Sequence, residues 1–107
     1  MDSNTSTIEF FKLHGSGNDF VVIDNRNLKL APEFMPHWAK NICARAFGVG
    51  ADGLIFLDQA PKKNKNVDYI WHFFNADGSR PRMCGNGSRC SAFLAHRIGL
   101  AKRSEER

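Results

Sequence analysis

No apolar run in these 107 residues approaches the ~20 that a membrane-spanning helix needs, which removes a helical membrane anchor from consideration. The opening "MDSNTST" has neither a basic stretch leading into an apolar one nor an Arg-rich amphipathic pattern. No secretory signal or transit peptide is visible, and a cytoplasmic protein is expected. Cysteine is scarce. Cys43, Cys84 and Cys90 make no even framework, so reduced thiols in a reducing compartment are expected. Arg and Lys interleaved with aromatics are missing too, and the formal net charge of +4 therefore does not point to nucleic acid. Lys62, Lys63 and Lys65 in "PKKNKN" read as a solvated loop. His14, His37, His72 and His96 show no ligand-type pairing, so no metal site is expected, and no internal repeat is evident.

What is present is the composition of an ordinary globular domain, 42% hydrophobic and 24% charged. "TIEFFKL" and "FVVID" read as two strands around the glycine turn in "HGSGND". Pro32 and Pro36 precede a helical stripe of Met35, Trp38, Ala39, Ile42, Cys43 and Ala46, with Gly48 in the stop position. Cys43 is thereby a core residue. "GLIFL" reads as a buried strand, and "VDYIWHFFN" as another whose aromatic and β-branched content outweighs its imperfect alternation. A second helix carries Cys90, Phe93, Leu94 and Ile98 at helical spacing and stops at Gly99. The expected domain is residues 8–101, between a disordered polar tail, 1–7, and a charged tail, 102–107. Four short strands for two helices predict an incomplete domain whose open strand edges would self-associate.

The stretch "RMCGNGSRC", residues 82–90, carries the chemistry. Gly85 and Gly87 free the backbone at the start of a helix, where N–H groups without intrahelical partners can converge on one anion. The helix dipole favours a carboxylate there. It also favours the thiolate of an adjacent cysteine, which makes Cys84 a candidate base or nucleophile. A buried, inert cysteine beside a cap fits the same spacing. In a helix, Cys84 and Cys90 lie about 9 Å apart along the axis, too far for the ~4.4–6.8 Å of a disulfide, which disfavours dithiol redox chemistry. Asp19, Asp52 and Asp77 read as structural acceptors rather than bases. Asn18 could close the hairpin turn and Asn75 could cap the turn at "ADGS".

"KLHGSGNDFVVID", "GVGADGLIFL", "FNADGS" and "MCGNGSRC" stand in an order and spacing that resemble the N-terminal half of the diaminopimelate epimerase family, over about Phe10 to Leu100. The resemblance implies an α/β (α+β) half in which a mixed sheet wraps around the central helix that begins after Cys84. It implies a cofactor-independent reaction, interconverting LL- and meso-diaminopimelate on the route to lysine, in which two cysteines flank the substrate's α-carbon. Cys84 would be one of them. Gly85 and Asn86 would hold the α-carboxylate or stabilise carbanion charge, and Asn18 and Asn75 match substrate-contacting positions. Some members carry Gln where this chain has Gly53, so that contact is not carried over. The second catalytic cysteine is not among these residues, and Cys90 cannot replace it, since the helix carries it away. The partners implied are the substrate, the missing C-terminal half in cis or in trans, and a second copy in a homodimer. The rival readings are a related proline-racemase or phenazine-type isomerase, and a non-catalytic anion-binding module.

Overall fold

The structure is a computed structural model that describes residues 8–15, 17–45, 48–60, 69–81 and 85–100, with the backbone alone at 85–88. Both expected tails, the "PKKNKN" loop, Ala46 and Cys84 lie outside the described residues. Among those described, four strands form one sheet in the order β1 (Phe11–Gly15), β2 (Asn18–Asp24), β3 (Gly53–Gln59) and β4 (Tyr69–Asn75). β1 and β2 are an antiparallel hairpin, with Gly17 at φ +93° in its turn. β2 and β3 run parallel and β3 and β4 antiparallel, which makes the mixed sheet that the resemblance implies.

The two central strands are apolar on both faces, which is why they read as unbroken runs. Val21, Ile23, Leu54, Phe56 and Phe74 face one side, where helix α2 (Met35–Cys43) packs with Met35, Ala39 and Cys43. Phe20, Val22, Ile55 and Leu57 face the other, covered by Cys90, Leu94 and Ala95 of helix α3 (Gly85–Arg97). The period of two along each strand thus sorts side chains into two cores, one per helix. It also rationalises β4: Tyr69, Trp71 and Phe73 pack toward α3, while Phe74 belongs to the α2 side. His72 shares the parity of Phe74, and its presence there is what disturbs the alternation.

The crossover from β2 to β3 begins with a short helix, α1 (Asn25–Leu28), and a 3-10 turn, Pro32–Phe34, neither of which the hydrophobic pattern announces. Asp24 caps α1 by accepting from the Arg26 N–H at 3.1 Å. Asn25 is buried with its amide fully used: it donates to the Leu30 carbonyl and to Asp58, and accepts from the Leu30 N–H.

Two details depart from expectation. α2 ends at Cys43, because Ala44 turns extended, and not at Gly48. Gly48 instead lies so close to the helix end that a β-carbon would overlap the Asn41 and Ile42 carbonyl oxygens. The N–H groups of Val49 and Gly50 then donate to the Ile42 carbonyl. Phe93, expected in the core stripe of α3, is 47% exposed, with the Arg97 guanidinium 5.7 Å from its ring centre. The end of α3 is as expected. Gly99, at φ +85°, donates to the His96 carbonyl and Leu100 to that of Ala95, the paired bonds of a Schellman cap.

Candidate functional site

The register collects the candidate residues at one end of the sheet. Asn18 opens β2 opposite Gly15, and Gly53 opens β3 opposite both Phe20 of β2 and Asn75 at the end of β4. Asn18, Asp19, Asp52, Gly53 and Asn75 therefore share that end. Helix α3 is tied at its far end, where Arg26 Nη2 donates to the Ile98 carbonyl at 3.0 Å, next to Asp24 at the close of β2. Thirteen helical residues span about 20 Å and the seven of β2 about 23 Å, so helix and strand are of similar length. Gly85 and Asn86 form the amino end of α3, and Cys84 precedes it in the chain.

Charge is organised around two aspartates. The Asp52 N–H donates to the Asp19 carbonyl at 2.9 Å and stands 3.2 Å from Asp19 Oδ1, while the Asp19 N–H donates to Asp52 Oδ2 at 2.9 Å. The second Asp52 oxygen accepts from Arg45 Nη2 at 2.9 Å, and Lys12 Nζ lies 3.3 Å from Asp19. Burial opposes ionisation of Asp19, yet its hydrogen bonds with Asp52 and Lys12 and the charges of Lys12 and Arg45 outweigh it. They carry the carboxyl from 3.8 down to about 2. Asn18 Nδ2 donates to Asp52 Oδ2 at 3.3 Å. His14 stands opposite Asp19 in the β1–β2 register.

Asn75 opens a tight turn. Its N–H donates to the Ser79 carbonyl at 2.7 Å and its Nδ2 to Ser79 Oγ at 3.0 Å, while Asp77 accepts from both the N–H and the hydroxyl of Ser79. The three aspartates thus act as hydrogen-bond acceptors. Arg45 is the member of the site that pattern reading passed over. It stands alone in a loop, and no spacing signals its contact with Asp19 of β2 and with Asp52, just before β3.

Close packing favours glycine at position 53. An added β-carbon would sit 2.6 Å from Phe73 Cε1 and 3.0 Å from the Phe74 carbonyl oxygen. Cys43 and Cys90 are buried, one in each core. Burial pushes the Cys43 thiol up to about 11, helped by the negative charge of Asp19 and Asp52 and opposed by Arg45. Among the described residues no three His, Cys, Asp or Glu side chains converge as a metal would require, and no helix is long and apolar enough to cross a membrane. A cleft of about 580 Å³ opens at the opposite end of the sheet, beside Ile8, Phe11, Asp24, Arg26 and Ile98, and no candidate residue lines it.

The family model described as diaminopimelate epimerase matches residues 10–106. The chain is 52% identical over 99 residues to diaminopimelate epimerase 1 of Nostoc sp., covering 92% of this chain and 34% of that protein. It is 48% identical over 99 residues to diaminopimelate epimerase of Aquifex aeolicus, covering 87% and 35%. The chain thus spans about a third of the length of the curated relatives it matches. Among solved structures, the phenazine biosynthesis protein of Bacillus anthracis, of the PhzF family, superposes with a TM-score of 0.55 at 20% identity. That match covers 94% of this chain and 28% of the other, and it shows a shared fold.

Proposed function

Because this chain belongs to the diaminopimelate epimerase family, we propose that its residues supply one acid/base thiol and part of the substrate cradle for the epimerisation of diaminopimelate. The observation that carries the reading is that the register brings Asn18 and Asn75 to one end of the sheet. Cys84 directly precedes α3, whose other end is tied to Arg26.

The reaction follows from these parts. The Cys84 thiolate removes the α-proton, and the electron pair left on the α-carbon spreads into the adjacent carboxylate. N–H donors at Gly85 and Asn86, aided by the helix dipole, stabilise the growing charge. Asn18 and Asn75 hydrogen-bond the substrate and hold its α-carbon against the sulfur. A second thiol delivers a proton to the opposite face, which inverts the centre and leaves a thiol where there was a thiolate. In the reverse direction the two exchange roles, which suits groups whose pKa values lie near neutrality. The buried Cys43 and Cys90 cannot serve as that second acid. It comes from the remaining two-thirds of the family's length, in cis or in trans. These residues alone then bind without turning over. A thiol catalyst needs a reducing compartment, which assigns the reaction to the cytosol, on the route to lysine.

The identity of about 50% to two diaminopimelate epimerases supports this substrate over that of a phenazine-type isomerase. The test joins this chain to the remaining length of the Nostoc relative and follows incorporation of solvent deuterium at the α-carbon of diaminopimelate. Exchange that is lost in Cys84→Ser is expected. A folded chimaera that exchanges equally well with Ser at position 84 overturns the assignment.

A further inference from the structure

Asp52 stands between the two asparagines proposed to touch substrate and is bonded toward both. Its carboxylate accepts from Asn18 Nδ2 and from the Asp19 N–H, and its main-chain carbonyl accepts from the N–H of Ala76, the residue after Asn75, at 3.2 Å. A carboxylate can only accept, so the Asn18 amide is turned with its NH2 group toward Asp52. That orientation is chemically fixed, where an isolated asparagine could present either end. Arg45 occupies the other Asp52 oxygen at 2.9 Å and so limits the rotation of the carboxylate. Arg45 is itself 62% exposed, and an exposed ion pair of this kind contributes little to stability. Its effect is directional.

Resting on the function proposed above, we infer that Asp52, held by Arg45, is a positioning residue that sets the orientation of Asn18 in the substrate site. It touches no reacting atom. Its loss is therefore felt in the capture of substrate, and felt through Asn18.

The experiment uses the chain completed with the remaining length of the Nostoc relative. Asp52→Ala is expected to raise KM about tenfold, the worth of one hydrogen bond to a charged group, while kcat stays within about threefold. In an Asn18→Ala background the same change is expected to add less than about twofold, because both variants remove one interaction. Arg45→Ala should reproduce part of the KM effect, and Asp52→Glu, which restores an acceptor, should recover part of it. An Asp52→Ala penalty that is equally large with and without Asn18, or that falls on kcat alone, overturns the positioning role while leaving the proposed function standing. If the completed enzyme does not act on diaminopimelate, it is the proposed function that fails. The positioning role is then decided in the 107-residue chain by NMR of the Asn18 side-chain amide. The two amide protons should shift and exchange faster in Asp52→Ala and Arg45→Ala, and unchanged resonances would refute the inference.

Discussion

Gly53→Ala is the smallest change that probes the packing under the site. The added β-carbon would lie 2.6 Å from Phe73 Cε1, 3.0 Å from the Phe74 carbonyl oxygen and 3.2 Å from Phe20 Cδ1. Carbon atoms settle at about 3.5–4.0 Å, so the Phe73 ring must retreat by about 1 Å. It has little freedom to do so, standing edge-on to Phe20 with centroids 5.4 Å apart and leaning on Trp71 at 5.9 Å. Overpacking of this degree costs about 1–3 kcal/mol, against about 0.4–1 kcal/mol regained because alanine restricts the unfolded chain. At the middle of both ranges the net is a destabilisation of about 1.3 kcal/mol, or several degrees of Tm for a domain of this size, read by thermal and urea unfolding. Phe73→Leu removes the ring edge, and most of the Gly53→Ala cost should vanish in that background. A Gly53→Ala protein as stable as the parent, or an equal cost in the Phe73→Leu background, refutes the reasoning.

Leu94→Ala should cost about 2–5 kcal/mol in urea unfolding, since Leu94 is buried between α3 and the sheet, and a cost under about 1 kcal/mol would mean that α3 is not docked there. Asp19 binds its proton less readily in the fold than its ordinary 3.8 allows, so its contribution to stability is present above about pH 4 and is lost as pH falls toward 2. Asp19→Asn should therefore flatten the acid limb of a stability–pH curve, and an unchanged limb would count against the Lys12–Asp19–Arg45 arrangement. Phe93→Ser, at an exposed position, should shift stability by less than about 0.5 kcal/mol, and a larger loss would mean that the ring is covered in solution.

The elements whose hydrophobic period is long and clean were legible in the sequence: α2 and α3 by their stripes, β3 by its unbroken run. Reading β4 required letting aromatic content override an alternation that His72 interrupts. Short pieces held by polar side chains were not legible. α1 rests on the Asp24 cap and the buried Asn25 amide, and neither leaves a periodic trace. The end of α2 was misplaced because Gly48 looks like a helix stop, whereas its role is close approach to the last carbonyls. Phe93 misled because residues at i and i+3 on a helix differ by about 60°, enough to carry one of them out of the core. For the candidate site, Asn18 and Asn75 come from the family resemblance, and the pairing of β2 with β3 and of β3 with β4 puts them at one end of the sheet. The Arg45–Asp52–Asp19 cluster joins two loop residues to β2, with Asp19 and Asp52 33 residues apart in sequence, which no local pattern encodes.

The most direct test of the central claim, that Cys84 is the thiol of the site, is the pH dependence of alkylation at each cysteine, located by mass spectrometry, with and without diaminopimelate. The two buried thiols serve as internal controls, with Cys43 pushed up to about 11. The account predicts that Cys84 alone reacts in the folded protein below about pH 8, and that diaminopimelate slows it. Three cysteines that titrate alike near the free value of about 8.5, with no protection by the ligand, would contradict it.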